Sequence, residues 1–205
     1  MNSTLKAIIF DVGGVLIVTH NRAGREKWAA RFGLDPWAFE NFVFSGESGS
    51  QMQLGQKSTA AHWQWLGQHF GLSQIELKEM HRDFFAGDRL NQALVAYVKL
   101  LRQAGYKTGI LSNFGDEARQ LWTDTYPFIE HFDGLVISAE VGLMKPHPHI
   151  YHLAANSLGV APAEAVFVDD FVENIEGARR VGMQAIHYTG ADGVITQLEQ
   201  LTGVT

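Results

Sequence analysis

The chain has 205 residues, 46% apolar and 19% charged, enough for one soluble domain, with or without an insert, around a sizeable core. A formal net charge of -6 with no basic stripe excludes nucleic acid or an anionic membrane as the main partner. The absence of cysteine excludes disulfides, thiolate nucleophiles and cysteine metal sites, and fits a reducing, cytoplasmic setting.

Only four apolar residues follow Lys6 before the first carboxylate, too few for a signal peptide or a membrane span. Ala7-Ile8-Ile9-Phe10 instead reads as a short, fully buried strand, followed by Asp11-Val12-Gly13-Gly14. From Arg22 to Gly87 the signals are helical. Arg25 to Phe32 is stopped by Gly33, and Pro36 opens a second helix. Ser45 to Gln56, rich in Gly, Ser and Gln, reads as loop. Ser58 caps a third helix, and Ser73 with Glu76 forms a capping box for a fourth. Trp28, Trp37, Trp63 and Trp65 are expected in the core of this block.

Strand and helix then alternate. Asn91 caps a helix that ends at Gly105, and Tyr106 to Leu111 is a strand followed by Ser112-Asn113. Gly115 to Thr123 is expected to be helical and Gly134 to Ile137 to be a strand. Pro148 to Leu158 is a helix with proline in its first turn. Ala165 to Val168 is a strand ending in Asp169-Asp170. Phe171 to Val181 is a helix, Gln184 to His187 a strand and Gly193 to Leu201 a helix. This alternation predicts an α/β fold with a doubly wound parallel sheet. The helical block reads as an insert, so the expected division is a core of 1–17 and 89–205 with a helical cap of 18–88.

Right-handed crossovers put every strand's C-terminus on one edge, where open α/β sheets bind ligands. Asp11, Ser112 and Asp169 each follow an apolar run and converge there. Lys145, in Gly142-Leu143-Met144-Lys145-Pro146, can reach the same edge. Carboxylates suit Mg²⁺, a hard ion that takes oxygen ligands. Lys145, Ser112 and loop amides suit a phosphate, and Asp11 could attack phosphorus to form an aspartyl-phosphate. Asn113 and Asn174 are either helix caps or site residues. His149 and His152 stand at i,i+3 without an evident third ligand, which disfavours a transition-metal site.

Four segments in this order resemble the motifs of the haloacid dehalogenase-like hydrolase superfamily: Phe10 to Leu16, Ile110 to Asn113, Gly142 to Pro146 and Val166 to Asp170. The resemblance implies a Rossmann-like core with a helical cap that helps select the substrate. It implies Asp11 as nucleophile, Lys145 as a catalytic and phosphate-binding cation, and Ser112 and Asn113 as phosphate ligands. Mg²⁺ would be held by Asp11, the Gly13 carbonyl, Asp169 and Asp170. The substrate would be a small phosphorylated metabolite, and the chain a monomer or homodimer. Phosphatases of the family usually carry an aspartate acid–base two residues after the nucleophile, where this chain has Gly13. Such a group contributes about 10²–10⁴-fold. The Asp-x-Gly form resembles a branch similar to glucose-1-phosphate phosphatases, so a sugar phosphate is among the candidates. His20 is a candidate replacement acid. A 2-haloacid dehalogenase and a non-catalytic binding protein are the alternatives.

Overall fold

A computed structural model describes residues 4–205. β1 (Ala7–Phe10) is followed by a Gly-Gly turn and β2 (Ile17–Thr19). Five helices come next: α1 (Ala23–Arg31), α2 (Pro36–Ser45), α3 (Glu47–Gln53), α4 (Thr59–His69) and α5 (Gln74–Phe85). β3 (Asp88–Leu90), α6 (Gln92–Gln103) and β4 (Lys107–Ser112) lead to α7 (Ala118–Gln120), which widens into a π turn over Leu121–Thr125. β5 (Gly134–Ile137), α8 (Ser138–Val141), α9 (Pro148–Ser157) and β6 (Ala165–Asp169) follow. α10 (Val172–Arg180), β7 (Gln184–His187) and α11 (Ala191–Thr202) end the succession.

The main sheet is parallel, in the order β5-β4-β1-β6-β7. β1 is central and buried throughout, and its side chains alternate between two cores. Ile8 and Phe10 pack with Leu94, Val98 and Leu101 of α6 and Leu198 of α11. Ala7 and Ile9 pack with Ile150, Tyr151 and Ala154 of α9 and Phe167 of β6. Each fully buried side chain of this size contributes about 1.5–3 kcal/mol. The chain leaves β1 toward β4 and β5, then returns to the other side for β6 and β7. The winding therefore reverses between β1 and β6, which is where a doubly wound sheet opens its crevice.

The helices of the insert start where their caps permit. Asp35 accepts the N–H groups of Trp37 and Ala38, with Pro36 at the first position of α2. Ser73 and Glu76 form the expected capping box of α5. These helices bury their own cluster, with Trp28, Phe39, Trp63, Leu66, Met80 and Phe84 at its centre. Trp37 departs from expectation. It is 61% exposed, because its place in the first turn of α2 faces solvent, and the Arg22 guanidinium lies 3.8 Å above its ring.

Two local expectations are corrected, and one strand pair goes beyond them. Ser45 to Gln56 contains helix α3, with Ser48, Gly49, Met52 and Gln53 buried. Its small residues serve close packing, since a side chain at Gly49 would stand 2.6 Å from the Val43 and Phe44 carbonyls. β2 and β3 pair antiparallel on either side of the helical block, but three-residue strands leave too little periodicity to read. Gly115 to Thr123 forms only one short α turn before the π turn.

Arg25 joins this two-stranded stem to the helices. It is 5% exposed and contacts Asp88 at 2.9 Å, Glu40 at 2.7 Å and the Phe84 carbonyl at 3.0 Å. Arg25→Ala would leave Asp88 buried without its cation, at a cost of about 3–5 kcal/mol. A urea titration should show a lower midpoint with an unchanged slope. A midpoint shift worth less than about 0.5 kcal/mol, taken with the slope, would refute this assignment.

Candidate active site

Asp11 is the first residue past the central strand. Its N–H donates to the Val168 carbonyl at 2.8 Å, which carries the sheet pairing one residue beyond β1. The side chain is held through one oxygen: Oδ1 takes the Val12 N–H at 2.7 Å and the Lys145 ammonium at 2.8 Å. Oδ2 has no hydrogen bond among the described residues, so Asp11 has a fixed orientation and one free oxygen.

Lys145 is the hub. It is 4% exposed, and its Nζ lies 2.7 Å from Asp169 Oδ2 as well as 2.8 Å from Asp11 Oδ1. Burial alone would lower the ammonium's pKa, but Asp11 and Asp169 outweigh it and hold the group above its ordinary range, hence charged. Asn113 positions this lysine. Its Nδ2 donates to the Lys145 carbonyl at 3.0 Å and its Oδ1 accepts the Lys145 N–H at 2.8 Å. Expected among the phosphate ligands, Asn113 spends both polar atoms of its side chain on the lysine backbone. Ser112, 2% exposed at the end of β4, makes no side-chain hydrogen bond among the described residues and keeps its hydroxyl free.

Asp169 is fully engaged. Beyond Lys145 it accepts the Phe171 N–H at 2.7 Å and the Asn174 amide at 3.0 and 3.1 Å. Asn174 is in turn fixed from behind, because its carbonyl accepts the Tyr151 hydroxyl at 2.8 Å. Asp170 differs: its Oδ1 is buried without a partner. It lies against the turn after Asp11, where a side chain on Gly14 would come within 2.1 Å of Asp170 Oδ2. Gly14 also has φ +76, so glycine serves both the turn and the close approach.

Asp11, Asp169 and Asp170 bring ligand oxygens within 4.8 Å of one another, the sole such cluster of three among the described residues. Burial pushes Asp11 up to about 7 against the opposing pull of Lys145, with Asp169 and Asp170 adding to the rise. Burial and then Asp169 push Asp170 up to about 6. Three carboxylates facing one lysine carry more negative charge than the pocket relieves. The donors are all hard oxygens, one is orphaned, and the Gly13 carbonyl accepts no backbone hydrogen bond. This set fits Mg²⁺. The histidines serve elsewhere: His147 caps α9 through its Nδ1, and His20 lies exposed just past β2.

A family model described as haloacid dehalogenase-like hydrolase matches residues 5–182. The chain belongs to the haloacid dehalogenase-like hydrolases. It is 32% identical to the bifunctional epoxide hydrolase 2 of Mus musculus over 152 residues, 72% of this chain and 26% of that protein. The chain thus spans about a quarter of the length of that relative and of its rat counterpart. A sesquiterpene phosphatase of Aspergillus oryzae is 27% identical over 204 residues, covering 99% of this chain and all of that one. A Bacteroides thetaiotaomicron enzyme of the same family, solved with magnesium and inorganic phosphate, superposes with a TM-score of 0.73. It is 21% identical over 89% of this chain and 93% of its own. Among the described residues of this hydrolase, no helix is long and apolar enough to cross a membrane.

Tyr151 escaped the sequence reading. It stands mid-helix in an apolar pattern, and nothing in that pattern marks the hydroxyl that fixes Asn174. The charge excess at the edge leads to a measurable expectation. Mg²⁺ at about 100 times its Kd should add about 2.7 kcal/mol to wild-type stability, seen as a rise in Tm. The rise should vanish in Asp170→Asn, and an equal rise there would mean that the ion binds elsewhere.

Proposed function

We propose that this hydrolase is a Mg²⁺-dependent phosphatase acting on a small phosphorylated molecule through an aspartyl-phosphate on Asp11. The observation that carries this reading is Lys145 set between Asp11 and Asp169 at the reversal of the sheet, with the free Ser112 hydroxyl one strand away. The full-length likeness to a sesquiterpene phosphatase supports phosphate-ester chemistry. The helical segment 18–88 acts as a cap over the core of 1–17 and 89–205.

Asp11 Oδ2, the oxygen without a hydrogen bond, attacks phosphorus while the bond from phosphorus to the leaving oxygen breaks. Lys145 and Ser112 hold the phosphoryl oxygens, so the charge that gathers on them meets a cation already in place. Water then attacks phosphorus, the bond to Asp11 breaks, and free carboxylate and inorganic phosphate result. Asp11, Asp169, Asp170 and the Gly13 carbonyl would hold Mg²⁺, which when bound supplies positive charge against the carboxylate–phosphate repulsion. Attack on carbon, as in a 2-haloacid dehalogenase, needs no metal and leaves the Asp169-Asp170 pair without a task.

Residue 13 limits proton delivery to the leaving oxygen. A side chain there meets nothing within 4 Å, and the residue's φ is outside the left-handed region. An aspartate can therefore be introduced without strain. p-Nitrophenyl phosphate should be hydrolysed with Mg²⁺ and not without it, and Asp11→Asn should abolish the activity. Equal release by wild type and Asp11→Asn would end the phosphatase reading and leave a binding protein. Gly13→Asp should raise kcat on alkyl phosphates by up to about 10²-fold, the lower range for an acid–base group, and change p-nitrophenyl phosphate little. A uniform gain, or none, would refute the role given to residue 13.

A further inference from the structure

The oxygens of the carboxylate edge come from two separate stretches. Asp11 and the Gly13 carbonyl belong to the turn after β1, Asp169 and Asp170 to the end of β6. Backbone pairing between these stretches reaches only to Asp11, whose N–H meets the Val168 carbonyl. Beyond that point another contact must set their separation. The turn closes on itself: the Gly14 N–H meets the Ile17 carbonyl, and the Val15 and Ile17 N–H groups meet the Val12 carbonyl. Its carbonyls at Val15 and Leu16 both go to one residue outside the turn, Asn91.

Asn91 stands between β3 and α6, and each of its polar groups is used. Its N–H donates to the Leu16 carbonyl at 2.8 Å, and its carbonyl accepts the Val95 N–H at 3.0 Å. Oδ1 caps α6 by accepting the Leu94 N–H at 3.2 Å. Nδ2 donates to the Val15 carbonyl at 3.1 Å and to the Tyr188 hydroxyl at 2.9 Å. An N–H on one side and a carbonyl on the other allow only this orientation of the amide. Capping alone does not call for asparagine, since serine and aspartate cap as well. Among these, only asparagine adds an NH₂ group with two protons to give.

Tyr188 is the other anchor. Its N–H donates to the Asp169 carbonyl at 2.8 Å, and the preceding His187 places Nε2 2.9 Å from the Asp170 carbonyl. Asn91 thus links the turn after Asp11 to the chain that brackets the backbone of both β6 carboxylates. Asp170 stands next to both sides of this link, with Gly14 against its carboxylate and His187 against its carbonyl. We infer that Asn91 is a positioning residue for the divalent-ion site. Through Val15 on one side and Tyr188 on the other, it sets the separation of the two stretches that carry the oxygens. The inference rests on the Mg²⁺ part of the reading above. Mg²⁺ takes its oxygens at about 2.0–2.1 Å in near-ideal octahedral geometry, so it tolerates little change in that separation.

The test is a calorimetric titration of the Mg²⁺-free protein with MgCl₂. Asn91→Ser keeps an oxygen to cap α6 but lacks the NH₂ group. It should raise the Mg²⁺ Kd about tenfold, the lower range for groups that orient metal ligands from behind. Tyr188→Phe removes only the hydroxyl and should raise Kd about threefold, the weight of one hydrogen bond. Ser58→Ala, which removes the cap of α4, is the structural control: its thermal midpoint should fall with Kd unchanged. A lower midpoint with an unchanged Kd in Asn91→Ser would reduce Asn91 to a helix cap and overturn the inference. So would an equal rise in Ser58→Ala, which would make Kd follow stability. If Asn91→Ser does not fold, Tyr188→Phe decides alone, and an unchanged Kd there overturns the inference. No Mg²⁺ binding by wild type would remove the metal site and this inference together. Mg²⁺ binding without Asp11-dependent turnover would instead overturn the phosphatase reading and leave the role of Asn91 standing.

Discussion

Lys145 is the constraint on which the carboxylate edge of the sheet depends. A parallel sheet sends its strand ends to one side, and this chain places carboxylates at the ends of both β1 and β6. Buried side by side, they would repel each other and take up protons. One ammonium between Asp11 and Asp169 opposes that, and much of the nearby structure serves to keep it there. Asn113 brackets its backbone, Asn174 and the Phe171 N–H complete Asp169, and Tyr151 fixes Asn174. One cation against three carboxylates still leaves a deficit. Burial first, and then that deficit, raise Asp11 and Asp170, and the edge is receptive to a divalent ion.

The second constraint is the seam between insert and sheet. Ser138 Oγ donates to the Gln53 carbonyl at 2.6 Å, and Asp116 accepts both the N–H and the hydroxyl of Thr59. At Gly55 a side chain would stand 2.2 Å from the Ala139 carbonyl. The two layers therefore meet through backbone and short side chains, beside an apolar patch of Met52, Trp63, Phe85 and Phe114.

Most of the core was legible because its signals are local. Apolar runs ending in a carboxylate or serine marked β1, β4 and β6, Pro36 marked α2, and caps marked α4, α5 and α6. The converging site followed from topology, since parallel strands leave few places for such residues to go. Function at a close approach hid the rest. Ser45 to Gln56 looks like loop by composition, yet its glycines and serines are there because α3 packs against backbone. Asn113 could be named from its motif, but no pattern says that its amide pairs with a lysine thirty-two residues away. His62 stands beside Trp63 in an apolar stretch, and only the structure shows that it is fully buried, with Nδ1 3.0 Å from Ser48 Oγ.

Gly13 separates what the fold requires from what the chemistry uses. The turn after Asp11 is held by its own backbone: Gly14 N–H bonds the Ile17 carbonyl and Ile17 N–H bonds the Val12 carbonyl, each at 2.8 Å. None of these bonds involves residue 13, and the space around it is open. Gly14 is different, since its φ and its distance from Asp170 both demand glycine. Two adjacent glycines thus have opposite meanings, one imposed by structure and one free of structural demand. The identity of residue 13 is therefore not dictated by packing. On the phosphatase reading proposed above, a glycine there shifts the burden of departure to the leaving group.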